Sequence, residues 1–184
     1  ELEKGQLNQL HITVGINKYN FSWKLNPGDS FQTPEALLVY SASGLNGMSQ
    51  TFHSLILDRV MRSKFKKAPR PILVNNWEAT YFDFTEDKLK EIVDEAKELG
   101  IEMFVLDDGW FGHRDDDYSS LGDWQVFAKK FPQGLKHFAD YVHGQGLKFG
   151  LWFEPEMISY DSDLYRTHPD YLMQVPGRKP SPAR

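Results

Sequence analysis

From Pro71 onward the chain repeats one pattern: a short apolar run, a polar or aromatic end, an amphipathic stretch, then another apolar run. The apolar runs are "PILVNNW", "IEMFVLDDGW" and "LKFGLWFEPEM". Strands that are apolar on both faces must be covered on both faces, and helices between them do the covering. The stretch "TEDKLKEIVDEAKELG" predicts the first such helix. Thr85 suits its N-cap, Glu86 and Asp87 its first turn, and Gly100 its stop. Leu89, Ile92, Val93, Ala96 and Leu99 recur at helical spacing and form its inward stripe. "FPQGLKHFADYVHGQG" predicts a second helix, with Leu135, Phe138, Ala139 and Val142 inward and Gly144 or Gly146 at its end. The alternation implies an α/β protein with a parallel sheet.

Polar residues gather only after each expected strand. They are Asn75, Asn76, Trp77 and Glu78, then Asp107, Asp108 and Trp110, then Glu154 and Glu156. Parallel α/β proteins carry their sites there, outside the carboxyl ends of the strands. A closed eight-stranded barrel takes roughly 250 residues, whereas the whole chain has 184. Three strand–helix units at most are expected, and the chain is expected to end before a barrel closes. An open parallel sheet of that kind exposes unpaired edges, so the chain on its own is expected to oligomerise or aggregate.

The residues before Pro71 read differently. "LHITVGINKYNFSWKL" and "NPGDSFQTPEALLVYS" are rich in β-formers and turn residues, which predicts antiparallel strands near residues 10–16, 19–24 and 35–41. Met48, Phe52, Leu55, Ile56 and Val60 fall at near-helical spacing and predict a connecting helix. The basic cluster "RSKFKKAPR" at residues 62–70 marks a boundary and reads as a solvated linker.

Net charge is −5 with both signs interspersed, so there is no basic footprint for nucleic acid or an anionic membrane surface. No apolar stretch is long enough to span a bilayer. The chain has no cysteine, which removes thiolate and disulfide chemistry and fits a cytoplasmic setting better than a secreted one. Five tryptophans allow stacking against sugar rings, and they serve equally as core filling.

Asp107 and Asp108 end the second apolar run. Successive strand side chains point to opposite faces, so two adjacent carboxylates on a regular strand cannot both flank one bond. The carboxyl pair of a glycosidase stands about 5–9.5 Å apart, a need better met from different strands. Both acids can still accept hydroxyl hydrogen bonds where the strand end twists; a solvated strand end is the other reading. Glu154 and Glu156, two apart, can share a face as a catalytic pair or simply end the strand at Pro155. "HRDDDYSSLGDW" suggests metal ligands in His113, Asp115, Asp116 and Asp117, but lacks the alternation and closing Glu of a calcium loop. It reads as a mobile, solvated loop. "GWFGHR" lacks the glycine spacing of a dinucleotide fingerprint, and no phosphate loop, nucleophile elbow or zinc signature is found.

The stretches "PRPILVNNWEATYFDF", "IEMFVLDDGWFGHRDDDYSSLGDW", "KFPQGLKHFADYVHGQGLKFGLWFEPEMIS" and "HPDYLMQVPGRKPSPAR" resemble the retaining α-galactosidases of glycoside hydrolase family 36. The resemblance runs from about residue 44 to the last residue. It implies an α/β fold, an incomplete (β/α)8 barrel of about three βα units over residues 71–184, preceded by the short antiparallel β segment. Residues 1–43 would be the end of an N-terminal β-supersandwich and residues 44–70 a helical linker. It also implies substrate-binding roles: Trp77 and Trp152 lining a galactose pocket, Asp107 and Asp108 holding galactose hydroxyls, and Arg184 of "SPAR" contacting the substrate. The implied substrate is an α-galactoside oligosaccharide of the raffinose or melibiose type, with no cofactor or metal and no nucleic-acid or membrane partner. The parent enzyme is expected to be a homo-oligomer.

The family nucleophile is an Asp in a K-W-D-M-N-like motif, and the acid/base is a later Asp; neither motif occurs in this chain. A retaining mechanism needs both carboxyls, so these 184 residues alone are expected to be inactive. A related galactosyl transferase of the raffinose or stachyose synthase type and a non-catalytic sugar-binding fragment are the alternatives.

Overall fold

The computed structural model describes residues 1–179. The chain divides into two compact units, Glu1–Ala68 and Pro69–Arg184.

The first unit holds a short antiparallel hairpin and a helix. Strands β1 (Leu2–Lys4) and β2 (Leu10–Ile12) pair with Leu2 opposite Ile12. Lys18 reaches back to the carboxylates of Glu1 and Glu3, at 2.9 and 3.1 Å. Helix α1 (Gly44–Leu55) runs on into a π-helical turn at Ile56–Val60. The expected strands near 19–24 and 35–41 do not form. A strand is a pairing, and no described segment hydrogen-bonds to either stretch as a ladder, so their apolar side chains stay in solvent. Tyr19, Trp23, Leu38 and Tyr40 are all largely exposed.

In the second unit, three parallel strands are ordered β3 (Leu73–Asn75), β4 (Met103–Leu106) and β5 (Lys148–Leu151). Leu73 lies opposite Met103, and Met103 opposite Lys148. The short helix α2 (Trp77–Thr80) follows β3 directly, and the longer α3 (Glu86–Glu98) leads into β4. Helix α4 (Leu135–Gly144) leads into β5, and α5 (Asp163–Thr167) follows it. The α3 start is as read: the Thr85 hydroxyl accepts from the Lys88 N–H, with Glu86 and Asp87 in the first turn.

The core lies between the sheet and the two longer helices. Leu89, Val93 and Ala96 of α3 and Phe138 and Val142 of α4 are buried with Phe104 and Leu106 of β4. The Phe104 and Phe138 rings meet edge to face with centroids 5.7 Å apart. Leu99 departs from the expected stripe. It is the α3 C-cap and is 77% exposed. The chain reverses at Gly100, and Ile101 packs against the core instead. Glu86, in the first turn of α3, is buried because Lys90 (2.8 Å) and His137 (2.7 Å) pair with it. Among the described residues no helix is long and apolar enough to cross a membrane.

Candidate functional site

All three parallel strands deliver polar side chains from the same end of the sheet. β3 stops at Asn75, and Asn76 is fully buried. The Asn76 side chain donates to Thr80 Oγ1 (2.9 Å) and accepts from the Asp107 N–H (2.9 Å). Asn75 accepts from the Trp77 N–H (3.2 Å) and donates from Nδ2 to Asp107 Oδ2 (2.7 Å). Two adjacent asparagines thereby fix both the start of α2 and the position of Asp107.

The two carboxylates after β4 have different surroundings. Asp107 is half-buried, and besides Asn75 its Oδ1 accepts the Asp108 N–H at 2.8 Å. Burial pushes its carboxyl above the ordinary aspartate range, and the neighbouring Asp108 charge adds to the rise. Asp108 is 5% exposed. Its Oδ1 accepts from the Gly109 N–H (2.7 Å) and Arg114 Nε (2.5 Å), and its Oδ2 from Arg114 Nη2 (2.7 Å). The remaining guanidinium nitrogen, Nη1, donates to the Ser119 carbonyl at 2.6 Å. Arg114 is itself 1% exposed, so the pair is a buried fork-to-carboxylate bridge.

A second buried cation clips the same loop. Lys130 Nζ donates to the carbonyls of Phe82 (2.8 Å), Gly109 (3.1 Å) and Arg114 (3.4 Å). It also pairs with Asp115 at 3.0 Å and sits 4.2 Å from the Phe84 ring centroid. Burial pulls its ammonium below the ordinary lysine range, and Asp115 opposes that fall. Gly109 sits at φ +95°, and a Cβ there would lie 3.1–3.2 Å from Phe82, Lys130 and Phe84. The loop takes this path only with glycine at that position.

Indole rings stand beyond the flanking strands. The Trp77 ring, after β3, meets Tyr81 and Phe82 edge-on at 5.2 and 5.1 Å. Trp152, after β5, extends the ladder by donating its N–H to the Leu106 carbonyl (2.9 Å) and accepts from Trp110 Nε1 (3.0 Å). Trp110, Phe111, Trp124, Trp152 and Phe153 form one aromatic cluster with successive centroids 4.4–6.5 Å apart.

The structure thus brings Trp77, Asp107, Asp108 and Trp152 to one end of three adjacent strands, with the carboxylates on the middle one. Arg184 lies outside the described residues. Glu154 and Glu156 do not sit on a strand, because β5 ends at Leu151 and residues 155–156 form a turn; alternation therefore does not put them on one face. The loop expected to be solvated is anchored instead. Arg114, Ser119, Ser120 and Leu121 are buried, and Asp123 accepts the Asp163 and Leu164 N–H groups. His113 pairs with Asp161 and Ser120, Asp115 with Lys130, and the Asp116 side chain accepts from the Tyr118 N–H, so these groups do not converge as ligands. Sequence reasoning missed Arg114 and Lys130. The available signal was a charge-dense loop directly after an acidic strand end, where buried carboxylates need cations.

Asp107 and Asp108 are both held in place by donors at the end of β4. Their groups suit accepting hydrogen bonds from a hydroxylated ligand, with indole faces nearby. Fold and site together define a parallel α/β protein whose polar and aromatic groups gather outside the carboxyl ends of its strands, where enzymes of this architecture carry their sites. The chain belongs to the melibiase family, whose model matches residues 30–184. It is homologous to α-galactosidases, which are glycoside hydrolases. It is 75% identical over 184 residues to α-galactosidase Mel36A of Lactobacillus acidophilus, covering 100% of this chain and 25% of that protein. Its fold superposes on the glycoside hydrolase family 36 α-galactosidase AgaB of Geobacillus stearothermophilus with a TM-score of 0.87 at 56% identity, covering 98% of this chain and 25% of that one. AgaA variants from the same organism, also 56% identical, match with TM-scores of 0.87 in complex with raffinose and 0.86 in complex with stachyose; 98% of this chain and 25% of those chains are covered. The chain spans about a quarter of the length of the curated relatives it matches.

Proposed function

We propose that these residues form one wall of the galactose pocket of a retaining α-galactosidase that removes terminal α-linked galactose from raffinose- or melibiose-type oligosaccharides. On this reading the three parallel strands are the first strands of a (β/α)8 barrel over residues 71–184. Residues 44–70 are a helical linker, and residues 1–43 are the end of a β-supersandwich. One observation carries the proposal: the Asn75–Asp107 hydrogen bond at 2.7 Å, which ties the polar end of β3 to that of β4 between two indole-bearing strand ends. A half-buried carboxylate held in place this way offers lone pairs to sugar hydroxyls at little further ordering cost. Asp107 and Asp108 hold galactose hydroxyls, Trp77 and Trp152 line the pocket, and Arg184, outside the described residues, contacts the substrate. The nucleophile and acid/base lie on other segments of the complete enzyme.

The test is a segment exchange. These 184 residues replace the corresponding quarter of Mel36A, and the chimera is assayed on a chromogenic α-galactoside beside the 184-residue chain alone. The chimera is expected to turn over and the chain alone is not. Turnover by the isolated chain would sink the assignment of the missing carboxyls. Transfer of galactose to sugar acceptors in preference to water would replace hydrolysis with the transferase alternative.

A further inference from the structure

Resting on that reading, the geometry points to Arg114 as a positioning residue that acts on the sugar only through Asp108. Arg114 occupies both oxygens of the Asp108 carboxylate, at 2.5 and 2.7 Å, and is itself 1% exposed. It is anchored independently of Asp108 by its bond to the Ser119 carbonyl. Its guanidinium carbon also lies 5.6 Å from the Phe82 ring centroid and 5.8 Å from that of Phe111. The backbone between the two partners is held as well, since Lys130 binds the carbonyls of Gly109 and Arg114 at either end of it.

The physical consequence is a carboxylate with one available orientation. A lone aspartate side chain rotates about two bonds and must lose that freedom when it meets a ligand. Asp108 has lost it on folding, so a hydroxyl meets an acceptor already in place. Two Arg114 nitrogens fix the carboxylate plane, a task for which a lysine ammonium lacks the fork. Among the described residues Asp107 has no cation of this kind, and Asn75 and the Asp108 backbone N–H place it. The two adjacent acids therefore divide the work: one is rigid and cation-locked, the other half-exposed and held by neutral donors.

The test uses the same chimera, assayed for KM and kcat separately. Arg114→Gln is expected to raise KM for the α-galactoside about ten- to a hundredfold, the range for losing a hydrogen bond to a charged group, with a smaller change in kcat. Arg114→Lys is expected to fall between parent and Arg114→Gln. The deciding comparison is a double-mutant cycle. If Arg114 acts through Asp108, adding Arg114→Gln to Asp108→Asn raises KM by no more than about threefold further. A full additional penalty in that background overturns the inference, as does a KM for Arg114→Gln within about threefold of the parent. If Arg114→Gln does not fold, Arg114→Lys is carried through the same cycle. A raised KM that vanishes in the Asp108→Asn background supports the inference, and an unchanged KM overturns it. An unsubstituted chimera without activity would instead bring down the functional reading itself.

Discussion

Asp108 and Arg114 stand six positions apart in the sequence and meet through both carboxylate oxygens, with their side chains 7% and 2% exposed. Losing either partner leaves the other charge stranded away from water. Arg114→Met is therefore expected to cost about 3–5 kcal/mol of stability. Replacing both, Asp108→Leu with Arg114→Met, is expected to cost less than the single change, because no bare charge remains. Urea unfolding of the three proteins, followed by circular dichroism, checks the order.

Asp107 predicts a pH signature. Its folded carboxyl titrates above the ordinary aspartate range because of burial and then the Asp108 charge. The native chain therefore holds that proton more tightly than the unfolded chain, and its stability falls as pH rises from the ordinary aspartate value through the elevated one. Asp107→Asn removes this titration. Its stability relative to the parent should improve as pH is raised from about 4 to 7, while galactoside binding in the chimera weakens. A pH-independent difference between the two unfolding midpoints would contradict the assignment.

Two glycines of the same backbone hand separate strain from space. Gly112 (φ +58°) and Gly146 (φ +86°) both lie in the left-handed region, so alanine at either costs about 1 kcal/mol. Only at Gly112 would the new Cβ meet atoms, 2.5 Å from Ser120 Cβ and 2.6 Å from Oγ, while nothing lies within 4 Å at Gly146. Ser120 is fully buried and bonded to His113, so it has little room to move. Gly112→Ala is expected to lower the thermal midpoint clearly more than Gly146→Ala.

The first unit leaves much apolar surface open. Leu38, Tyr40 and Trp23 are 87%, 89% and 62% exposed. Surface of this kind favours self-association. The 184-residue chain is expected above monomer mass in light scattering at micromolar concentration, and a monodisperse monomer would count against it.

The helices of the second unit were legible because their signals are local. Thr85 caps, Leu89, Val93 and Ala96 repeat, and Gly100 stops, all within one stretch of chain. Leu99 misled because the stripe continues by spacing past the point where the helix ends. The stretches near 19–24 and 35–41 have strand composition but no partner among the described residues, and composition alone cannot supply the pairing. Trp152 was named only through the family resemblance, whereas Trp77, Asp107 and Asp108 were legible as polar or aromatic strand ends. Arg114 and Lys130 were not, since a cation in a polar loop looks solvated until the fold turns it inward against a buried acid.

The aromatic cluster gives the protein a built-in optical reporter. Of five tryptophans, Trp110, Trp124 and Trp152 have neighbouring ring centroids 6.3–6.5 Å apart beside the candidate site. Indoles packed this closely have fixed, asymmetric surroundings, so this corner of the molecule contributes to the near-ultraviolet dichroism and to the emission. A sugar that settles against Trp152 would announce itself in the emission spectrum without any attached dye.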